Sequence, residues 1–245
     1  MGSVIVITSG KGGTGKTSLT GGIGAALALQ GRQVLCIDAD VGLRNLDITL
    51  GMTDAALMDF SDVMAGRCPL ARAVAPHPSV SGLFLLPAPP PLPEDFSGEA
   101  GFRALLAEAR ERYDEILIDS PAGLGAGFRL ATCAADRAIV VAVSDPSSLR
   151  DAQRVVSQLG RIKTAHLVVN RVRPRLLRRQ GVTIDDAMDT AGLPLLGLVP
   201  EDANVILAAS SGQPVAQFTQ RGAAQAYGNI ARRLLGQTVP LMRIR

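Results

Sequence analysis

The sequence predicts an α/β fold, a mostly parallel sheet with helices on both faces. Short β-branched runs alternate with longer Ala/Leu-rich stretches, the order that a parallel sheet with crossover helices requires. The runs are almost wholly apolar, as in Val4-Ile-Val-Ile7, and so suit strands buried on both faces. Size agrees: 245 residues, 47% hydrophobic and 19% charged, supply the core of one domain over 1–245, with 237–245 as a short C-terminal tail.

Taken in order, Val4–Ile7 is the first strand. A glycine-rich turn over 10–15 follows and opens a helix from about 16 to 30, stopped by Gly31. Val34–Ile37 is the second strand and runs into Asp38 and Asp40. Further strands are predicted at 83–86, 116–118, 138–143, 166–169 and 195–199. Helices are predicted around 101–112, 148–159, 184–191 and 222–235. The proline-rich run 87–93 has two readings, a polyproline ligand for a partner or a stiff surface connection after a strand; the second is expected.

Composition narrows the function classes. No uninterrupted run of 18 apolar residues is present, so no transmembrane helix is expected. The N-terminus lacks a basic region before its apolar run, so no secretory signal is expected. Cys36, Cys68 and Cys133 are widely spaced without a CxxC pair, which argues against a disulfide framework or zinc site and for a reducing cytoplasm. Net charge is +3. Of 25 basic residues only Lys11, Lys16 and Lys163 are lysine, and two of them stand five apart. A lysine is a compact point charge where arginine is a planar fork, so this placement singles out Lys11 and Lys16.

Both lysines fall in Gly10-Lys-Gly-Gly-Thr-Gly15-Lys16-Thr17, which satisfies G-x-x-x-x-G-K-[ST] between a strand and a helix. Gly10, Gly12, Gly13, Thr14 and Gly15 would turn backbone N–H groups toward phosphate oxygens, with Ser18 in the first helical turn. Lys16 would reach the β- and γ-phosphates and the Thr17 hydroxyl would ligate Mg²⁺. The same glycines also satisfy the dinucleotide fingerprint G-x-G-x-x-G, with Asp38 near the ribose-binding position. A dinucleotide site needs neither Lys16-Thr17 nor a second acid-ended strand, yet Ile116-Leu-Ile-Asp119 supplies that second acid. A carboxylate there suits the Mg²⁺ shell of a triphosphatase, so ATP with Mg²⁺ is the expected pair.

These residues resemble the MinD/ParA family of ATPases. Lys11 matches the extra lysine of its deviant Walker A loop. Asp38-Ala-Asp-Val-Gly-Leu-Arg-Asn-Leu-Asp47 is similar to the switch segment of the MinD branch, and Ile116-Leu-Ile-Asp-Ser-Pro-Ala-Gly123 to its Walker B segment and second switch. Segments 147–152, 167–171 and 196–202 match in order and spacing. The resemblance implies a slow, Mg-dependent ATPase whose two subunits sandwich two ATP molecules, Lys11 reaching the partner's phosphates and Asp40 orienting the attacking water. It also implies that Asp119, and Asp38 near it, support Mg²⁺ through water, that Asn170 hydrogen-bonds adenine, and that Pro200, Glu201 and Asp202 close over the base. Family members position the division septum by cycling between cytoplasmic monomer and membrane-bound dimer at the inner face of the cell membrane. They recruit the division inhibitor MinC, and MinE triggers hydrolysis. Arg44, Asn45 and Asp151 match positions near the dimer and partner face.

Several residues keep a second reading. Asp38 would serve equally by bonding loop amides, Arg44 as a surface charge, and Asp47 is expected to be a turn or cap residue. The run Arg171-Val-Arg-Pro-Arg-Leu-Leu-Arg-Arg179 would bind DNA phosphates, face anionic lipid, or form a solvated loop balanced by Asp185, Asp186 and Asp189. Asp145-Pro-Ser147 is shorter than the family's loop, which bears on MinE recognition. The tail over 241–245 mixes apolar and basic residues but is too short for an amphipathic anchor, so weak membrane contact is expected. The alternatives in function are a ParA-like or flagellar-number ATPase acting on DNA or polar complexes, and an iron–sulfur carrier needing cysteine ligands.

Overall fold

The apolar runs lie side by side in one sheet. The computed structural model describes residues 1–244 apart from 42, 54, 56, 90–97 and 182, with the backbone alone at 180. The chain opens with β1 (Ser3–Thr8), α1 (Lys16–Ala28) and β2 (Val34–Asp38), then three short helices, α2 (Leu46–Leu50), α3 (Phe60–Met64) and α4 (Leu70–Ala73). It continues through β3 (Ala75–Pro76), β4 (Leu83–Leu86), α5 (Gly98–Ala109), β5 (Glu115–Asp119), α6 (Ala126–Thr132), β6 (Arg137–Val143) and α7 (Pro146–Gln158). The last third holds β7 (Thr164–Val172), α8 (Pro174–Gln180), α9 (Ile184–Ala191), β8 (Leu195–Pro200), α10 (Asn204–Ser210), α11 (Val215–Phe218) and α12 (Ala223–Leu234).

The strand order is β3-β4-β2-β5-β1-β6-β7-β8, parallel throughout except that β3 runs antiparallel to β4. Alternate residues serve opposite faces. Val4, Val6, Leu35, Ile37, Ile116 and Ile118 pack with Phe102 and Leu106 of α5 and Leu149 of α7. Ile5, Ile7, Val34, Cys36 and Leu117 pack with Leu19 and Ile23 of α1 and with Tyr227 and Ile230 of α12. Helix α1 is apolar all round because it is covered on both sides, by the sheet and by α12. Gly22 makes that possible: a Cβ there would lie 2.2 Å from the Tyr227 ring. No helix among the described residues is long and apolar enough to cross a membrane.

The predicted strands and longer helices all form. The shorter helices α2, α3, α4, α6, α8, α10 and α11 were absent from the sequence reading, since four to seven residues hardly show a 3.6-residue period. Two expectations need correcting. Residues 87–89 of the proline run are buried, not on the surface, and the Pro87 carbonyl accepts the Phe60 N–H; 90–93 lie outside the described residues. The arginine run is not a loop: it ends β7 and forms α8, whose Pro174 sits in the first turn where its missing N–H costs nothing. Among the described residues its arginines make no ion pair with Asp185, Asp186 or Asp189, and Asp186 serves the capping box of α9. The tail docks on the body of the protein. The Arg233 guanidinium donates to Val239 O, Pro240 O and Leu196 O at 2.7–3.1 Å, and Met242 and Ile244 pack against the two core faces. Residue 245 lies outside the described residues.

His77, after β3, fastens α2 to that edge of the sheet. Its Nδ1 accepts the N–H groups of Ser79 and Val80 at 3.1 and 3.0 Å, which leaves Nε2 to donate to Leu50 O at 2.9 Å. This requires a neutral ring, and burial holds its pKa below the usual value. Below about pH 6.5 the unfolded chain therefore takes up a proton that the folded chain resists. The stability held by His77 is complete above that pH and is lost as pH falls through it. Urea midpoints measured from pH 7.5 to 5 should fall more steeply for wild type than for His77→Asn, and parallel curves would contradict this account.

Candidate functional site

The strand order sets the site. The chain leaves β1, forms α1 and returns as β2 one place beyond β5, so β5 lies between β1 and β2. Register then puts Asp119 opposite both Ile7 and Asp38. Both carboxylates thus stand at the C-terminal end of the sheet beside the loop 9–15. In that loop Gly13 and Gly15 take φ of 75° and 90°, the left-handed region that glycine enters freely. Ser9 Oγ donates to Lys11 O at 2.7 Å and receives a hydrogen bond from Lys16 Nζ at 3.1 Å. Asn170 Nδ2, from β7, donates to Thr14 O at 2.8 Å and ties the loop to that strand. Among the described residues the buried Thr14 hydroxyl finds no partner.

Electrostatics follow from burial. The Lys16 amine is pushed below its ordinary pKa by desolvation, with Asp119 and Asp40 pulling the other way. Asp119 is pushed up to about 7 by burial and then by Asp38, against the Thr17 hydroxyl and Lys16. Thr20 Oγ1 lies 3.3 Å from Asp119 Oδ1. Asp38 is pushed up to about 6, chiefly by burial, although its oxygens accept the N–H groups of Asp40 and Leu46 at 2.9 and 3.2 Å. Asp38 therefore does bond loop amides and shapes the segment that carries Asp40. Asp40 is half-buried and raised by desolvation, with Lys16 opposing.

These residues fit a triphosphate with Mg²⁺. Two adjacent buried carboxylates are costly until a cation joins them, and a loop with left-handed glycines and an orphaned hydroxyl has donors to spare. Among the described residues no three His, Cys, Asp or Glu side chains form a metal cluster. Mg²⁺ suits such a site because it keeps several waters and leans on substrate phosphates. Thr17 and, through water, Asp119 and Asp38 would hold it.

A cleft of about 510 Å³ opens beside the loop, lined by Gly15, Ser18, Asn170, Pro200, Glu201, Asp202 and Tyr227 among others. The predicted base-closing residues are thus together. Within them Asp202 also has structural partners, accepting from the N–H groups of Asn204 and Ala223, both at 2.9 Å. Glu201 pairs with Arg173. Lys11 points elsewhere: its Nζ lies 3.2 Å from both Asp145 oxygens and 2.9 Å from Ser147 Oγ. Asp145, in the sequence no more than part of a loop, also caps α7 by accepting the Ser148 N–H at 3.0 Å. Ser9 and Thr20 were missed as well; their only signal was adjacency to the loop and a place four residues after Lys16. Asp47 sits in the first turn of α2, where it accepts the Ile48 N–H, and Asp151 pairs with Arg154. Arg44 has a left-handed backbone, φ 44°. Cys36 is buried and its thiol is pushed up by that burial.

A methyl group on Gly15 would be strained at φ 90° and would lie 2.2 Å from Asn170 Nδ2. Gly15→Ala should cost about 1–3 kcal/mol and break the tie to Thr14. Calorimetry should show nucleotide affinity falling at least ten-fold while the circular dichroism spectrum stays native; unchanged affinity would contradict the assigned loop geometry.

The chain is similar to known proteins over nearly its whole length. Residues 5–215 match the CobQ/CobB/MinD/ParA nucleotide binding domain. The septum site-determining protein MinD of Synechocystis is 39% identical over 246 residues, covering 99% of this chain and 92% of that protein. Among solved structures, a chain of the MinC:MinD cell division protein complex of Aquifex aeolicus superposes with a TM-score of 0.91 at 38% identity, with 98% of each chain covered. The septum site-determining protein MinD of Pyrococcus horikoshii, complexed with Mg-ADP, superposes with a TM-score of 0.83 at 30% identity, with 96% of each covered.

Proposed function

The chain belongs to the MinD/ParA family of nucleotide-binding proteins, and from that premise we propose that it is a MinD-like ATPase that spatially regulates septum placement, dimerising on ATP and resetting on hydrolysis. One observation carries the reading: a phosphate loop whose lysine is buried beside Asp119, in a chain that matches MinD over nearly its whole length.

In this mechanism the backbone N–H groups of 12–17 and the Lys16 amine neutralise the β- and γ-phosphates, so positioning and charge do most of the work. Asn170 and the Pro200–Asp202 loop hold the base. Asp40, half-buried and within the field of Lys16, would orient water for attack on the γ-phosphate. Mg²⁺, when bound, would screen the phosphate charge and relieve the repulsion between Asp38 and Asp119. Lys11 would exchange Asp145 and Ser147 for the partner's phosphates when two subunits meet. A MinC-like regulator fits the division role; a MinE-like one and anionic lipid are further candidates. Membrane contact would have to draw on something other than Met242 and Ile244, which face the body of the protein.

Lys16→Ala should lower ATP affinity by more than ten-fold, because the loop loses its buried point charge; affinity within three-fold of wild type would refute the assignment. Lys11→Ala separates the deviant loop from an ordinary one. Its monomer should still bind ATP, but size exclusion with a slowly hydrolysed analogue should show no dimer. In cells lacking their own MinD, wild type should restore midcell septa and Lys11→Ala should not. Restoration by both would overturn the link between dimerisation and septum placement.

A further inference from the structure

The arginine run that reads as one basic patch divides in the structure. Arg175, Arg178 and Arg179 lie on α8, and Arg173 pairs with Glu201, but Arg171 faces the nucleotide cleft. Its backbone is left-handed at φ 51°, a conformation rare for a side-chain-bearing residue. The pairing of β7 with β8 shifts register between Val169 and Val172, so an irregularity at the strand end accompanies this conformation. Local pairing does not account for it: the side chain is exposed and makes no hydrogen bond or ion pair among the described residues. Strained backbone of this kind persists where a side chain has to be aimed.

What it is aimed at follows from its neighbours. Arg171 Nε lies 4.0 Å from where a Cβ on Gly15 would sit, so the guanidinium lies over the phosphate loop. The same residue lines two adjoining spaces, the base cleft with Asn170 and Pro200 and the mouth beside Lys11 and Thr14. A nucleotide with its base in the cleft and its terminal phosphates in the loop runs its ribose and α-phosphate past this point. We propose that Arg171 is a nucleotide-contacting residue whose guanidinium grips the α-phosphate, bridging the base cleft and the phosphate loop. Among the described residues this cationic fork makes no ion pair of its own; Glu201 lies within its field but is paired with Arg173. Such a fork suits a phosphate, which it meets with two parallel hydrogen bonds. The inference rests on the nucleotide-binding reading given above.

The test uses the full chain and ADP, so that turnover plays no part. Arg171→Gly removes the fork and accepts the left-handed backbone without strain, so its fold should hold; an unchanged or raised melting midpoint without nucleotide checks this. Calorimetry should show ADP binding at least about ten-fold weaker than wild type. At saturating ADP, the phosphorus NMR signal of the bound α-phosphate should move between wild type and variant, while that of the β-phosphate, held by the loop and Lys16, should stay. ADP affinity within two-fold of wild type overturns the proposal. A weakened affinity with an unmoved α-phosphate signal overturns it too, since the contact would then be to the base or ribose. Wild type and Lys16→Ala serve as controls. If wild type binds ADP and Lys16→Ala does not, a null result at Arg171 defeats this assignment alone; if wild type binds no ADP, the nucleotide reading fails with it.

Discussion

Burying Asp119 between an ammonium and a second carboxylate at the end of a parallel sheet is the constraint on which the rest of this structure depends. Lys16, Asp119 and Asp38 are each nearly inaccessible to water, at 7%, 1% and 2% exposure. In the free chain their attraction does not offset the loss of solvent: the amine is driven toward its neutral form and both acids toward theirs. The same burial that makes these groups costly strengthens every interaction they would make with a highly charged ligand. A site of this kind would suit a polyanion with a divalent cation, the first pairing with the ammonium and the second with the carboxylates.

The fold has to hold those groups still, and it does so from several directions. The interposed β5 brings Asp119 between the ends of β1 and β2. Helix α1 is clamped between the sheet and Tyr227, so the helix that begins at Lys16 has little freedom to shift. Asn170 ties Thr14 to β7, and Asp38 ties the segment around Asp40 and Leu46 to β2. The groups that would change partners lie at the rim instead. Lys11, Asp145 and Ser147 are joined by partly exposed polar contacts that water weakens, and the ion pair among them contributes little to stability.

Much of the site was legible because its chemistry is contiguous. The loop from Gly10 to Thr17 needs its glycines, its lysine and its hydroxyl in consecutive order, so sequence alone displays them. Asp38 and Asp119 were legible as acids ending apolar strands. The partners of Lys11 were not, since Asp145 stands 134 residues away and nothing local in the sequence links the two. The arginine run misled for a related reason: charge along the chain says nothing about direction, and Arg171 turns to the cleft where the β7–β8 register shifts, Arg173 pairs with Glu201, and α8 carries Arg175, Arg178 and Arg179. Tail residues 237–244 were read by length and composition, which do not reveal that Arg233 finds their carbonyls.

By itself, the sequence determined the class of fold, the order of the long elements and the phosphate loop. Those properties follow from hydrophobic periodicity and local backbone chemistry, both of which act over a few residues. Tertiary structure decided which acids share a low-dielectric pocket, how far their protons are held, which way Lys11 and Arg171 point, and where the tail lies. Those depend on strand order and on packing between residues far apart in the chain, and pKa and direction have no existence until that packing excludes water.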